Sequence, residues 1–185
     1  MLFRSILERA VQIQLLHHLD KSNQLSPFQC GFRKNHSTLD AVTYFTDCIR
    51  KGIDDGRVTA AVFVDFRKAF RSVNHQLLIK ILPGFGQNQE LKWFENYPTN
   101  RCQSVVYGSA QSTSQQIKSG ISQGSILSPI LFSMYIDLPN CLFQSQILLY
   151  ADDALLFYGD SNIRKISTVL NKDLKQLQSW TNHNK

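Results

Sequence analysis

Long apolar runs, closely paired cysteines, glycine-rich phosphate loops and blocks of like charge are all missing from this 185-residue chain. Without an uninterrupted apolar stretch of about 18 residues, no segment reads as a membrane span. The first residues, MLFRSILERAVQIQLLHHL, carry Glu8 early and show no small-residue cleavage site, so they do not read as a targeting peptide. The four cysteines, Cys30, Cys48, Cys102 and Cys141, never fall at CxxC spacing, which speaks against a zinc site and a disulfide framework. Reduced thiols, no disulfide partner and an intracellular setting, nuclear or cytoplasmic, are expected. Asn35-His36-Ser37 matches a glycosylation sequon by letter only, since no secretory signal accompanies it. No internal repeat or low-complexity tract appears.

What is present is a folding composition: 43% hydrophobic and 18% charged residues, with a net charge of +6. That charge permits a polyanionic partner without demanding one. Phe3, Ile6, Leu7, Ala10, Ile13 and Leu16 recur at helical spacing and predict a core-packing helix. A second helix is expected over 38–51, and VTAAVFVD (58–65) reads as a buried strand. Leu77, Leu78, Ile81 and Leu82 return to helical spacing until Pro83-Gly84, and a further helix fits 89–97. CQSVVYG and QQIKSG predict a hairpin, and 125–136 a helix with Pro129 in its first turn. In a last helix Ile163, Ile166, Val169, Leu170, Leu174, Leu177 and Trp180 share a face behind a cap at Ser161. This order implies an α+β fold, an antiparallel sheet backed by helices.

The stretch ILLYADDALLFY sets two strand-like runs around adjacent carboxylates, Asp152 and Asp153. Like charges at a hairpin tip repel, and a divalent cation relieves the conflict. The plain alternative is an exposed acidic turn. A second buried-looking strand ends on Asp65, a costly charge unless it faces solvent, pairs with Arg67 or Lys68, or binds metal. If the two strands are neighbours, three carboxylates form one cluster suited to two magnesium ions.

VFVDFRKAFRSVNH, SGISQGSILSPILFSMYIDLP and LLYADDALLF, in this order, resemble the three central motifs of reverse transcriptases. GFRKNHSTLDAV resembles the preceding fingers motif, and LKWFENYPTNR a segment typical of the non-LTR (LINE-type) retrotransposon branch. The resemblance implies a right-hand polymerase fold without a thumb, with fingers about 1–58 and 77–118 and palm about 59–76 and 119–185. It implies RNA-directed DNA synthesis from an RNA template, a DNA primer and deoxynucleoside triphosphates, with two Mg²⁺ or substituting Mn²⁺ ions. Asp65, Asp152 and Asp153 are then the metal ligands, joined by the Phe66 carbonyl. Phe70 abuts the sugar and rejects a 2′-hydroxyl. Gln123 and Gly124 line the nucleotide and template site, Arg33 binds phosphate, and Tyr150 packs on the primer end.

Several positions depart from the family pattern. Arg71 stands where an acidic residue is usual, MYIDLP is one residue short, and Pro98 and Ser128 replace Leu and Gly. With no basic fingertip hairpin before the first motif and no primer grip or thumb after the last, a truncated or decayed element copy is expected. The rival readings are an RNA-dependent RNA polymerase, which Phe70 argues against, a catalytically inactive nucleic-acid-binding remnant, and a chain without a stable fold.

Overall fold

A computed structural model describes residues 2–85, 97–99, 101–122, 124–136 and 144–184. Helix α1 (Leu2–Ser22) and helix α2 (Thr38–Asp54) precede strand β1 (Val58–Asp65), which has the expected bounds but, as an edge strand, is not the buried one expected: none of its residues is buried and Phe63 is exposed. Two short helices follow, α3 (Ala69–Ser72) and α4 (His75–Ile81), and a 3-10 turn (Leu82–Phe85) absorbs Pro83 and Gly84. The helix expected over 89–97 lies almost wholly outside the described residues. The predicted hairpin is present in two pieces, β2 (Cys102–Gln103) with β5 (Gln115–Gln116) and β3 (Val106–Tyr107) with β4 (Ala110–Gln111). Helix α5 (Ser128–Tyr135), strands β6 (Gln146–Tyr150) and β7 (Asp153–Asp160), and helix α6 (Ile163–His183) complete the order.

The main sheet runs β1-β7-β6, antiparallel throughout, with β7 in the centre. Alternation sorts its side chains. Ala60, Val62, Val64, Ile147, Leu149, Ala154 and Leu156 point to α6, meeting Ile166, Leu170 and Leu177. The opposite face looks to α2, where Phe45 meets Phe157 edge-on at 4.9 Å. A second core surrounds α5, whose Ile130, Leu131, Phe132 and Met134 are all buried against α1, α3 and α4. A helix apolar on every side belongs in such a centre. Phe66 and Trp180 pack against both cores and join them.

Helix α1 forms as expected, but on a different face. Glu8, Leu15 and Leu19 are buried, while Ile6, Leu7 and Ile13 are more than half exposed. The helix carries apolar residues on more than one stripe, so periodicity alone cannot select the buried one. The cap of α6 is Asn162, one residue beyond Ser161: its side chain accepts from the Arg164 and Lys165 amides. Ile163 is correspondingly exposed.

Helix α2 starts with a reciprocal cap. The Ser37 side chain accepts from the Asp40 amide, and Asp40 accepts from the Ser37 amide and hydroxyl at 2.7 Å each. These bonds hold the Asp40 carboxyl below its usual pKa. Their stabilisation is present above the unfolded carboxylate pKa and disappears as pH falls through the lower folded value. Ser37→Ala should lower the melting temperature by roughly 2–4 °C at neutral pH, and by less in acid. Melts of the two chains across pH check this; a deficit that grows in acid contradicts it.

Candidate active site at the hairpin tip

Strands β6 and β7 are joined by a two-residue turn, Ala151-Asp152, with Tyr150 opposite Asp153. Ala151 has φ +56°, a left-handed value at the turn position where glycine is usual. Strand β1 pairs with β7 so that its last residue, Asp65, stands directly opposite Asp153. Cross-strand partners share a face, so Asp65 and Asp153 present like charges to one another. Asp65 and Asp153 are exposed and Asp152 is half-buried. Among the described residues none of the three aspartate carboxylates is hydrogen-bonded or ion-paired. Arg67 and Lys68, the candidates for neutralising Asp65 locally, are likewise unpaired there. The three carboxylates expected as one cluster do not converge: among the described residues no three acidic, histidine or cysteine groups surround one point. The donor set is thus an opposed pair with a third carboxylate next to it in the turn, all hard oxygen donors of the kind magnesium takes.

Asp65 borders two clefts. One, about 540 Å³, opens between α2 and the sheet and is lined by Thr38, Val42, Phe63, Tyr150 and Asp153. The other, about 380 Å³, lies on the α6 side beside Phe66, Arg67 and Trp180. Tyr150 thus faces the acidic pair's own cleft. The Phe66 ring turns into both cores, and its carbonyl accepts from the Ala69 amide at 3.1 Å. Phe70 is half-buried, stacked on Phe132 at 4.4 Å and met edge-on by Phe32 at 6.0 Å.

The loop before α5 is held from several sides. The Gly120 and Ile121 amides donate to the Val73 and Phe70 carbonyls, at 2.7 and 2.9 Å. Gly120, at φ +88°, would set a Cβ 2.9 Å from the Arg71 carbonyl oxygen, so a larger residue there is obstructed by backbone. The Arg71 side chain is exposed and makes no ion pair among the described residues, so the reversed charge meets no carboxylate there. Gly124, at φ +81°, has open space around it. Gln123 lies outside the described residues, as does the 137–139 stretch of the shortened MYIDLP block. Ser128 is accommodated: its hydroxyl donates to the Ser122 carbonyl at 2.6 Å. Arg33 is neither solvated nor free. It donates to the Ser26 carbonyl at 2.9 Å and lies 3.8 Å from the Asp20 carboxylate, with its Nε buried and unpartnered.

Three further residues shape this site. Glu8 of α1, buried, accepts from the Tyr97 hydroxyl and from the Ser125 hydroxyl and Ile126 amide just after Gly124. His75, also buried, bonds the Gly120 carbonyl at 2.7 Å. Gly31 lies against the hairpin tip. A signal for Glu8 was available in its spacing, since it lies on one helical stripe with Leu15 and Leu19. Nothing local announces His75 or Gly31. Cys30, next to Gly31, is a free thiol whose pKa is raised by burial and then by the Asp40 charge, so it is no ready nucleophile.

In three dimensions the chain is similar to two telomerase structures from Candida tropicalis. One is in complex with a TWJ fragment of telomeric RNA, with TM-score 0.61, 15% identity, and coverage of 89% of this chain and 29% of that one. The other is apo telomerase truncated from its C-terminal domain, with TM-score 0.62, 16% identity, and coverage of 89% and 36%. The fold is that of a polymerase. The family model described as reverse transcriptase (RNA-dependent DNA polymerase) matches residues 2–185, and the chain belongs to that family. Its relatives include the probable RNA-directed DNA polymerase from transposon BS of Drosophila melanogaster, 28% identical over 94% of this chain and 20% of the relative. The RNA-directed DNA polymerase from mobile element jockey of Drosophila funebris is 25% identical over 95% and 20%. The corresponding X-element protein of Drosophila melanogaster is 28% identical over 83% and 17%. The chain therefore spans about a fifth of the length of the curated relatives it matches.

Proposed function

We propose that this chain is the metal-binding, nucleotidyl-transferring part of a retrotransposon reverse transcriptase, extending a primer 3′ end with deoxynucleotides on an RNA template. The observation that carries this reading is the in-register opposition of Asp65 and Asp153 beside Asp152, unneutralised and open to a cleft. The names of the curated relatives support the reaction. On this reading the main sheet with 59–76 and 119–185 is the palm, and 1–58 with 77–118 the fingers.

Asp65, Asp152 and Asp153 would hold two magnesium ions, or manganese in their place, and these would supply positive charge to an attacking 3′-hydroxylate and a leaving pyrophosphate. The Phe66 carbonyl, with one lone pair used by Ala69, keeps another for a ligand. Phe70, fixed between Phe32 and Phe132, forms a rigid apolar wall that leaves a 2′-hydroxyl no room and no partner. The open, left-handed turn at Gly124 lets a nucleotide approach backbone closely, with Gln123 beside it. Tyr150 offers its ring to the primer end. Arg33 contributes a guanidinium to phosphate only by sharing it with Asp20.

The test is a metal titration followed by melting, paired with single-nucleotide addition to a primer on RNA. For a site of about 1 mM affinity, about 10 mM Mn²⁺ stabilises by about 1.4 kcal/mol, a melting shift of roughly 3–6 °C. Asp65→Asn should lose that shift. It should also melt higher without metal, by about 1–2 °C, because the opposed charges are gone. Equal metal shifts in both chains would sink the shared site. A metal shift without incorporation leaves a metal-binding remnant.

A further inference from the structure

Residues 28–33 run along the free edge of β6 as a strap. The Leu149 amide donates to the Phe28 carbonyl at 2.9 Å and the Cys30 amide to the Leu149 carbonyl at 2.8 Å, a parallel bridge centred on Gln29. The strap is anchored at both ends. Phe28 meets Tyr44 of α2 at 6.1 Å, Phe32 meets Phe70, and Arg33 reaches the Ser26 carbonyl. Between the anchors Gly31 touches the tip of the hairpin. A Cβ on Gly31 would fall 2.1 Å from the Ala151 nitrogen, 2.8 Å from its Cα and 3.0 Å from the Tyr150 carbonyl carbon. These are backbone atoms, which cannot turn aside as a side chain can. The two nearest belong to Ala151, the residue held at φ +56°, a conformation that alanine disfavours by about 1–2 kcal/mol and that needs support from its surroundings.

We propose that Gly31 is a positioning residue for the acidic site: by letting the strap lie flush on the tip, it braces the strained turn and sets where Asp152 and Asp153 stand relative to Asp65. The inference rests on reading those aspartates as metal ligands, but the bracing itself does not. The strap links the tip to Phe32 and Phe70, so one short segment sets the spacing of the carboxylates and the aromatic wall together. Within 28–33, only a residue without a side chain can occupy the point of contact.

The experiment compares Gly31→Ala, Gly31→Ala with Ala151→Gly, and Gly84→Ala, whose added methyl enters open space. Two readouts are used, amide hydrogen exchange and the Mn²⁺ melting shift. In Gly31→Ala the Cys30 and Leu149 amides should exchange at least about tenfold faster while those of α6 keep the parental rate, and the Mn²⁺ shift should be lost. Adding Ala151→Gly should restore part of the protection, because a glycine turn can move away from the methyl without strain. Gly84→Ala should match the parent. Parental exchange at Cys30 and Leu149 in Gly31→Ala overturns the bracing. Faster exchange with an undiminished Mn²⁺ shift overturns the positioning role. If the parent itself shows no Mn²⁺ shift, the metal reading fails and the exchange data still decide the bracing. If Gly31→Ala accelerates α6 as well, the double variant decides: recovered α6 protection assigns the damage to the clash with the tip, and no recovery overturns it.

Discussion

Asp173→Ala should lower the melting temperature by roughly 6–12 °C, through a loss of about 3 kcal/mol. Asp173 is fully buried on α6, and one of its oxygens accepts from the Gln144 amide at 3.0 Å and from the Ser145 amide and hydroxyl at 2.7 Å each. Those bonds hold the chain where it enters β6, the first strand of the acidic hairpin. Truncation leaves two amides and a hydroxyl facing a cavity, and each unmet buried donor costs about 1–3 kcal/mol before water or a shift in the loop recovers some of it. Asp173→Asn keeps an acceptor oxygen but loses the charge, so it should fall between parent and Asp173→Ala. The two variants separate a hydrogen-bonding role from mere space filling: Asp173→Leu, which fills space without accepting, should resemble Asp173→Ala. A melt of Asp173→Ala within about 2 °C of the parent removes Asp173 from the supports of the hairpin.

Glu8→Ala should cost a similar amount, about 3 kcal/mol or roughly 6–12 °C, and its damage should concentrate at the site loop. Glu8 accepts from the Tyr97 hydroxyl at 3.1 Å, and from the Ser125 hydroxyl and Ile126 amide at 3.0 Å each. One turn further along α1, the Gln12 side chain donates to the Ile126 carbonyl at 3.1 Å, so both polar groups of that peptide residue are held by α1. Glu8→Gln can offer one acceptor, but its amide nitrogen then confronts a second donor, so recovery should be partial. Melting temperature measures the total cost, and hydrogen exchange at Ile126 locates it. The opposite result, an unprotected Ile126 amide in the parent or an unchanged melt in Glu8→Ala, would separate α1 from the loop that follows Gly124.

Glu8 and Asp173 show what sort of signal spacing carries. Asp173 falls within the apolar stripe of α6, between Leu170 and Leu177, and Glu8 falls within that of Leu15 and Leu19. A carboxylate at a core position is legible as an anomaly, since it must find donors once buried. Its partners are not legible, because they come from segments 28 and 118 residues away in the chain. Phe70 shows the reverse. The family resemblance alone makes it a candidate sugar contact, and only the fold reveals that Phe32 and Phe132 fix its ring.

Whatever depends on neighbours within a few turns of chain was determined by the sequence alone. The continuous apolar run set β1 at 58–65, the two runs around Asp152-Asp153 set the β6–β7 hairpin, and helical spacing set the buried stripe of α6. The order of motifs marked the family. Tertiary structure alone decided that β1 pairs with β7, which brings Asp65 opposite Asp153, that the strap at 28–33 lies on the tip, and that α1 buries the Glu8 stripe in preference to that of Ile6 and Ile13. The reason is physical: periodicity and turn chemistry act through bonds to adjacent residues, whereas register between distant strands and the choice between two apolar stripes depend on which surfaces fill space together once the whole chain has packed.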